Sequence, residues 1–310
     1  MPRWQSFSGS LLVINEFVSL IFSIAMRGLV QCFLKRAQTV IVTRDPAMKR
    51  NFVLPAALVA PAIALALTLE LPYGSAWAQP PASPIIVNRA SSDIFPPSWL
   101  APGVGARAEL LAETEQQRSV AVITKALGKY PSSLISANVT HIYVLGRLEY
   151  SGVAAGGTNS KTDVYVVKNG RISDALLENN FHAEFSSILL RNFPQHLDTE
   201  AWQRVHSPDF HYRGSGVQAI KSQQASVRLS DGLHEEGFLN EYAKASVEED
   251  FNSFAARLFT GDPLLWRAID RYPKVRAKAE LAMAFYRKLD ASFTKEFFAS
   301  LRQTSESLMR

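Results

Sequence analysis

The fold is decided around Phe181-His182-Ala183-Glu184-Phe185-Ser186-Ser187-Ile188-Leu189-Leu190. This stretch places a His and a Glu two residues apart at the front of a strongly apolar run, and Asn192-Phe193-Pro194 then provides a stop. We predict a helix over residues 174–190, because the apolar run is long and ends at a proline. At roughly 100° per residue, Glu184 lies about 200° around that helix from His182, so a regular helix cannot bring both to one metal.

Two strands are predicted before this helix. Residues 139–150 are rich in β-branched and aromatic residues, and Asp163–Val167 has the same character before the turn signal Asn169-Gly170. The Gly-rich residues 151–158 between them are predicted to form a hairpin loop. They do not match a phosphate-binding loop, which needs a following Lys-Ser/Thr at the start of a helix.

Helices are predicted to make up most of the remaining chain. Residues 207–237 are the exception and are predicted to be irregular and able to cover a cleft, while Thr199 is predicted to cap a short helix. Together the pattern predicts an α+β fold, with a small antiparallel sheet and a mostly helical body. The predicted helices cover residues 106–129, 199–205, 247–259, 263–272, 273–290 and 294–301.

The N-terminal part of the chain has the features of an export signal. Met48-Lys49-Arg50 is a short basic start, residues 52–71 are apolar, and Ala76-Trp77-Ala78 places small residues before a cleavage site. The protein is therefore predicted to be exported, periplasmic or secreted. An uncleaved membrane anchor is the alternative, because the apolar run is long enough to span a bilayer.

These features divide the chain into four predicted parts. Residues 1–47 are interpreted as an over-extended N-terminus or a membrane segment, and residues 48–78 as the signal peptide. Residues 79–105 form a Pro-rich lead-in, and residues 106–310 form a single domain with C-terminal helices.

Charge and cysteine content exclude several classes of function. The chain has a formal charge of +5, but residues 1–78 hold seven Lys/Arg and three Asp/Glu, which leaves 26 basic and 25 acidic residues in the remainder. Such a balance gives no support for a nucleic-acid surface. The single cysteine, Cys32, lies in the first part, so the exported chain would have neither a disulfide, nor a thiolate zinc ligand, nor a cysteine nucleophile.

The local chemistry of the central helix is incomplete for a metal site. A zinc peptidase helix carries two His four residues apart, with a Glu beside the first to activate water. When Glu184 is aligned with that Glu, Ala183 and Ser187 occupy the two His positions, and neither side chain binds zinc usefully. Taken alone, the stretch is best interpreted as a helix start with one polar pair.

Downstream residues extend the comparison. Gly237-Phe238-Leu239-Asn240-Glu241-Tyr242-Ala243 is followed by Glu248-Glu249-Asp250-Phe251, and Gly156-Gly157-Thr158 precedes a short strand. With the central stretch, these segments resemble the exported bacterial zinc metallopeptidases of gluzincin-like type, over roughly residues 106–260. The resemblance implies a zincin-like metallopeptidase fold, a zinc cofactor and a peptide or protein substrate.

The resemblance also implies roles for four residues. Glu184 matches the general base, Glu249 matches the third metal ligand, and Tyr242 matches a residue that polarises the scissile carbonyl. His182 is adjacent to the first ligand position and is carried over as a substitute metal ligand. For Glu249 the alternative is that Glu248, Glu249 and Asp250 are an acidic first turn that favours the helix dipole.

Three hypotheses of function remain open. The first is a zinc metallopeptidase-like hydrolase that is catalytically impaired by the loss of the paired histidines. The second is a non-catalytic exported protein, a pseudoenzyme, that binds a peptide or an envelope partner in the same cleft. The third is a structural envelope protein with no cleft facing Glu184. In each case a membrane is contacted only through an uncleaved N-terminal segment, and nucleic acid is not a partner.

The histidines leave room for a rearranged metal site. Five of the six lie between residues 182 and 234, and each is predicted to be exposed or in a loop. They are His182, His196, His206, His211 and His234.

Overall fold

The computed structural model describes residues 84–308, and side chains only as far as residue 302. The predicted signal peptide, the segment before it and the first residues of the lead-in lie outside the described residues. The described chain is mixed α+β, with ten α-helices around one small sheet. None of the helices in this range combines the length and apolar character needed to cross a membrane.

The sheet has six short strands in the described chain. They are β1 (Ile85–Val87), β2 (Arg107–Leu110), β3 (His141–Tyr150), β4 (Val153–Ala154), β5 (Gly157–Asn159) and β6 (Asp163–Val167). The long strand β3 is central, with β1 and β6 parallel to it and β2 and β4 antiparallel to it. Strand β5 pairs antiparallel with β6 and ends the sheet on that side.

The prediction of an antiparallel sheet is therefore wrong, because the sheet is mixed. Ser151 and Gly152 have positive φ angles of 54° and 75° and turn the chain sharply from β3 into β4. A second reversal after β5 sets β6 parallel to β3. The predicted hairpin loop, residues 151–158, thus contains the first reversal, β4 and the start of β5, and the second reversal follows it. Its strands have two and three residues, too few to show a period of two in the sequence.

The helices follow the predicted order closely. They are α1 (Glu113–Leu127), α2 (Ser132–Asn138), α3 (Asp174–Asn192), α4 (Thr199–Arg204), α5 (Gly216–Lys221), α6 (Asp231–Glu236), α7 (Val247–Thr260), α8 (Pro263–Arg271), α9 (Pro273–Leu289) and α10 (Lys295–Leu308). Helices α8 and α9 each begin at a proline, as predicted.

Three local predictions need correction. Residues 107–110, predicted as helix, form β2 because they pair with the far half of β3. The cap of α4 is Asp198, whose carboxylate accepts from the Ala201 amide at 2.8 Å, and Thr199 is the first helical residue. The segment predicted to be irregular, residues 207–237, contains the short helices α5 and α6.

The core has two parts, one on each face of the sheet. On one face α3 packs between the sheet and α7, with Phe181, Phe185 and Ile188 fully buried. On the other face the Pro-rich lead-in covers the sheet, and Phe95 stacks on Tyr165 with ring centroids 5.3 Å apart. The sheet therefore fixes one side of α3, and α7 fixes another.

Candidate functional site

Glu184 lies on the side of α3 that faces the edge strand β5. Its Oε2 accepts a hydrogen bond from Asn159 Nδ2 at 2.5 Å. A Cβ placed on Gly157 would come within 2.6 Å of Glu184 Oε1, so a side chain at this position would displace the carboxyl group. The glycine therefore lets the backbone of β5 lie directly against Glu184.

Glu249 and Tyr242 meet at the start of α7. Ser246 caps this helix, with its hydroxyl accepting from the Glu249 amide at 3.2 Å. The Tyr242 hydroxyl donates to Glu249 Oε1 at 2.9 Å. A Cβ on Gly216, at the first position of α5, would overlap both of these groups. The segment predicted to cover a cleft thus lies directly on the tyrosine and the carboxyl group.

A pair of buried polar residues, Ser187 on α3 and Asn252 on α7, forms a polar seam between the two helices that carry Glu184 and Glu249. Ser187 lies one turn after Glu184, and Asn252 lies one turn after Glu249. Asn252 Nδ2 donates to Ser187 Oγ at 2.6 Å, and both residues are buried. Ser187, at the position of the second histidine in a zinc helix, is therefore held by an amide.

Burial shifts the pKa values of both carboxyl groups upward. Burial raises the pKa of Glu249 to about 7, with the Tyr242 hydrogen bond opposing the shift and Glu248 adding to it. Burial raises the pKa of Glu184 to about 8, with the Asn159 hydrogen bond opposing it and the charges of Glu249 and Glu248 adding to it. The negative charge of Glu249 opposes ionisation of Glu184, and burial opposes ionisation of both, so both carboxyl groups lose their protons less readily than free glutamates do.

Burial and the charges of Glu184 and Glu249 also raise the pKa values of two nearby phenols, Tyr150 and Tyr242. Burial raises the pKa of the Tyr150 phenol to about 12, and the Glu184 carboxylate adds to the effect. Burial also raises the pKa of the Tyr242 phenol well above its ordinary value, with Glu249 as the next cause. Both tyrosines therefore remain protonated and can donate hydrogen bonds.

Arg191 forms the rim of the site. It donates to Glu248 Oε1 at 2.7 Å, to the Ser160 carbonyl at 3.0 Å, and to Asn159 Oδ1. This arginine therefore ties the Glu184 partner Asn159 to the start of α7. Outside it lies an open groove of about 490 Å³, whose lining includes Trp99 and Lys161.

His182 does not join the other three predicted site residues. It is fully buried, its Nδ1 lies 2.8 Å from the Tyr130 hydroxyl, and its ring stacks on Phe259 at 5.3 Å. Phe259 and Glu249 are separated by about 15 Å along α7, at about 1.5 Å per residue. Burial lowers the pKa of His182 to about 4, against the opposing effect of the nearby Glu178 carboxylate, so the ring is neutral. The structure thus brings together Glu184, Tyr242 and Glu249 and places His182 in the core.

The donor atoms at the site do not fit zinc. Protein zinc sites are built chiefly from imidazole nitrogen and thiolate sulfur. Here the two positions at which the resemblance would place imidazoles hold Ala183 and Ser187, and the neighbouring groups are carboxyl and phenol oxygens. Within residues 84–308, no three His, Cys, Asp or Glu side chains are placed to hold a metal ion.

The three consecutive acids of α7 have three different partners. Glu248 pairs with Arg191 at the rim, and Glu249 accepts from Tyr242. Asp250 is fully buried, forms an ion pair with Lys278 and accepts from Trp202 Nε1 at 2.9 Å. The helix dipole accounts for acids in a first turn, but it does not account for these partners.

The prediction that the histidines are exposed or in loops is wrong for two of the five, because His182 and His234 are buried in helices. His206 lies in a loop, although it is buried, and His211 is exposed. His206 stacks on Phe238 with ring centroids 4.3 Å apart and an angle of 8° between the planes. Such burial arises from contacts between segments distant in sequence, which a local pattern does not contain.

Several site residues were missed in the sequence. Asn159, Gly216 and Asn252 contact the carboxyl groups or the seam between them, but none belongs to a recognisable motif. Gly157 stood in the segment that resembled the peptidases, without a role assigned to it. Comparison of the chain with protein-family models, curated proteins and solved structures gives no match.

Proposed function

We propose that this protein is an exported, zincin-like protein that binds a peptide or protein segment in its Glu184 cleft without zinc-dependent hydrolysis. One observation carries the proposal: Glu184, Tyr242 and Glu249 converge beside the edge strand β5, while the imidazole positions hold Ala183 and Ser187. The cleft has kept groups that orient a ligand and lacks the groups that hold zinc.

The edge of β5 supports an extended ligand. Val167 donates to the Gly156 carbonyl at 2.9 Å, and Ser160 donates to the Asp163 carbonyl at 2.8 Å. Because hydrogen-bonded positions alternate along an antiparallel strand, the backbone groups of residues 157 and 159 point away from β6. No strand of the described chain pairs with that edge. A peptide that added a strand there would lie beside Glu184.

The protonation of Glu184 supports binding over water activation. With a pKa of about 8, most Glu184 carboxyl groups are protonated at pH 7. A protonated carboxyl group donates a hydrogen bond, for example to a peptide carbonyl, and it cannot take a proton from water. The phenol of Tyr242 offers a second donor.

Hydrolysis is the second candidate, and the proximity of a carboxyl group and a phenol favours it. Above pH 8 Glu184 is mostly ionised and could accept a proton from water. This hypothesis predicts peptidase activity that rises as pH increases through about 8 and disappears in Glu184→Gln.

Peptide-library selection on the full chain, followed by affinity measurement of the selected peptides, tests the binding proposal. We expect Glu184→Gln to retain binding, because Gln still donates a hydrogen bond. Gly157→Val should abolish binding, because its side chain would enter the cleft. Gly170→Val is the matched control, since no atom lies within 4 Å of a Cβ at that position.

Metal analysis separates the two candidates. We expect the purified protein to contain no stoichiometric zinc and its thermal unfolding to be unaffected by a chelator. One zinc per chain, together with chelator-sensitive proteolysis, would contradict the proposal and establish the hydrolase.

A further inference from the structure

A second cavity lies beside α6 and α8 and shares no residue with the Glu184 cleft. Its volume is about 390 Å³. The lining residues that matter below are Leu229, Asp231, His234, Leu264, Arg267 and Arg271. They combine two cations, one carboxylate, one imidazole and an apolar wall.

His234 is the buried polar group of this cavity. The residue is 4% exposed, and neither ring nitrogen makes a hydrogen bond within the described chain. The Asp231 carboxylate is 3.6 Å from Nδ1, beyond ordinary hydrogen-bond length. Burial lowers the pKa of His234, against the opposing effects of the Asp231 carboxylate and the Leu239 carbonyl. Buried polar atoms rarely lack a hydrogen-bond partner. A ligand in the cavity could supply the partner that this ring lacks.

Two arginines supply positive charge on one side of the cavity. Arg267 and Arg271 are four residues apart on α8 and therefore lie on the same face of the helix. Arg267 is exposed and makes no ion pair within residues 84–308. Arg271 lies over the Tyr272 ring at 5.1 Å and approaches Asp231 only to 3.7 Å. Arg271 thus forms a long ion pair with Asp231, whereas Arg267 has no carboxylate partner among the described residues, and the two guanidinium groups are together suited to a carboxylate.

The opposite wall is apolar. Leu229 and Leu264 line the cavity, and Leu264 is one of the few large apolar side chains left exposed, at 47%. A ligand consisting of a charged group alone would leave these leucines in water. A ligand with an apolar body would cover them and gain the free energy of their burial.

We infer that this cavity binds a small organic carboxylate with an apolar body. The carboxylate pairs with Arg267 and Arg271 and hydrogen-bonds to His234, and the apolar body packs on Leu229 and Leu264. The inference does not depend on the proposed function of the Glu184 cleft, because the two sites have no residue in common.

Calorimetric titration of the full chain with three probes tests the ligand class. Phenylacetate carries both required features, phenylacetamide lacks the charge, and inorganic phosphate lacks the apolar body. We expect saturable binding of phenylacetate, with the other two weaker by about tenfold or more, the loss that corresponds to about 1.4 kcal/mol. Equal binding of phenylacetate and the amide, tighter binding of phosphate, or no binding of phenylacetate would overturn the inference.

Variants then locate the binding. Arg267→Gln should weaken phenylacetate binding by about tenfold, as expected for a charge-assisted contact, whereas the exposed Arg171→Gln is the matched control and should not change it. Leu264→Trp keeps an exposed apolar residue while filling the cavity, and it should abolish binding without loss of folding. The His234 ring resonances should shift on addition of phenylacetate. Unchanged binding in Arg267→Gln and Leu264→Trp would refute the assignment, and unchanged binding in Glu184→Gln would confirm its independence of the cleft.

Discussion

Two faces of helix α3 differ in their surroundings, although the sequence assigned a residue of each to the same metal site. The core face carries His182, and the cleft face carries Glu184. His182 points into an aromatic core against Tyr130 and Phe259. Glu184, two residues later, points at the backbone of β5 and accepts from Asn159. A helix rotates by about 200° over two residues, so adjacent polar positions serve opposite sides of the molecule.

Burial acts on both faces in the same way, because it favours the uncharged form of each group. It lowers the pKa of His182 to about 4 and raises that of Glu184 to about 8. What differs is the surroundings: the imidazole is enclosed by aromatic rings, whereas the carboxyl group lies against the backbone and the Asn159 side chain of the edge strand β5. The core face therefore stabilises the fold through packing, whereas the cleft face carries a carboxyl group that can donate a hydrogen bond when it is protonated.

The largest effect is expected from introducing two histidines, four residues apart, on the face of α3 that carries Glu184. The double variant Ala183→His with Ser187→His places two imidazoles four apart beside Glu184 and near Glu249. We expect zinc affinity to rise by about a thousandfold over the parent chain, since imidazole ligands supply most of the affinity of such a site. Calorimetric zinc titration measures the change.

The control for this variant uses the other face. Ser186→His also creates a pair four residues apart, with His182, but both residues are fully buried in the core. No zinc binding is expected there. Equal zinc binding by both variants would remove the distinction between the two faces.

The next largest effect is expected on the core face. His182→Ala removes a buried ring and leaves the Tyr130 hydroxyl without its partner. We expect the free energy of unfolding to fall by about 3 kcal/mol, as for other large-to-small core changes. Chemical denaturation at pH 7 provides the value, and a loss below about 1 kcal/mol would show that the ring is not packed as described.

On the cleft face the corresponding change has the opposite sign. Folding raises the pKa of Glu184 from about 4.5 to about 8, so the folded state binds the proton more tightly and this stabilisation is lost as pH rises through that interval. Glu184→Gln stays neutral at every pH. We therefore expect the variant to match the parent chain below pH 4.5 and to be more stable than it by a few kcal/mol above pH 8. Denaturation at pH 4, 6 and 9 follows the trend, and a difference that stays constant with pH contradicts it.

The smallest effect is expected at Tyr242. Tyr242→Phe removes the hydrogen bond to Glu249 Oε1, which holds down the pKa of that carboxyl group. We expect the Glu249 pKa to rise and the free energy of unfolding at pH 7 to fall by about 1 kcal/mol. Carbon-detected NMR titration gives the pKa.

A double-mutant cycle provides the control for Tyr242. In a Glu249→Gln background the phenol no longer meets an ionisable partner, so Tyr242→Phe should cost less there than in the parent chain. Identical costs in both backgrounds would mean that the two side chains are not coupled.

The local pattern predicted most long elements correctly. Strand β6 has the predicted bounds, and α3, α7, α8 and α9 begin at the predicted residues. The four helices combine a sustained period with a cap or a proline at the start, which fixes their first residues locally. Strands β1, β4 and β5 could not be predicted, since they have two or three residues and exist through pairing with β3 or β6.

The candidate site divides in the same way. Glu184, Tyr242 and Glu249 were named from the sequence through a family resemblance, and they lie together in the structure. Asn159 and Gly216 were not named from the sequence, because their roles depend on contacts with residues far away in the chain. Asn159 donates to Glu184, and Gly216 lies against Tyr242 and Glu249. The buried state of His234 was missed for the same reason.

By itself the sequence determined that His182 and Glu184 face opposite sides of one helix, because the rotation per residue is a property of the backbone. Only the tertiary structure decided which side lies in the aromatic core and which side lies against β5. That choice depends on where α7 and β5 pack against α3, and on two glycines that let neighbouring segments approach the carboxyl groups. It also decided the protonation, since a pKa is set by burial and by nearby charges that come from several elements.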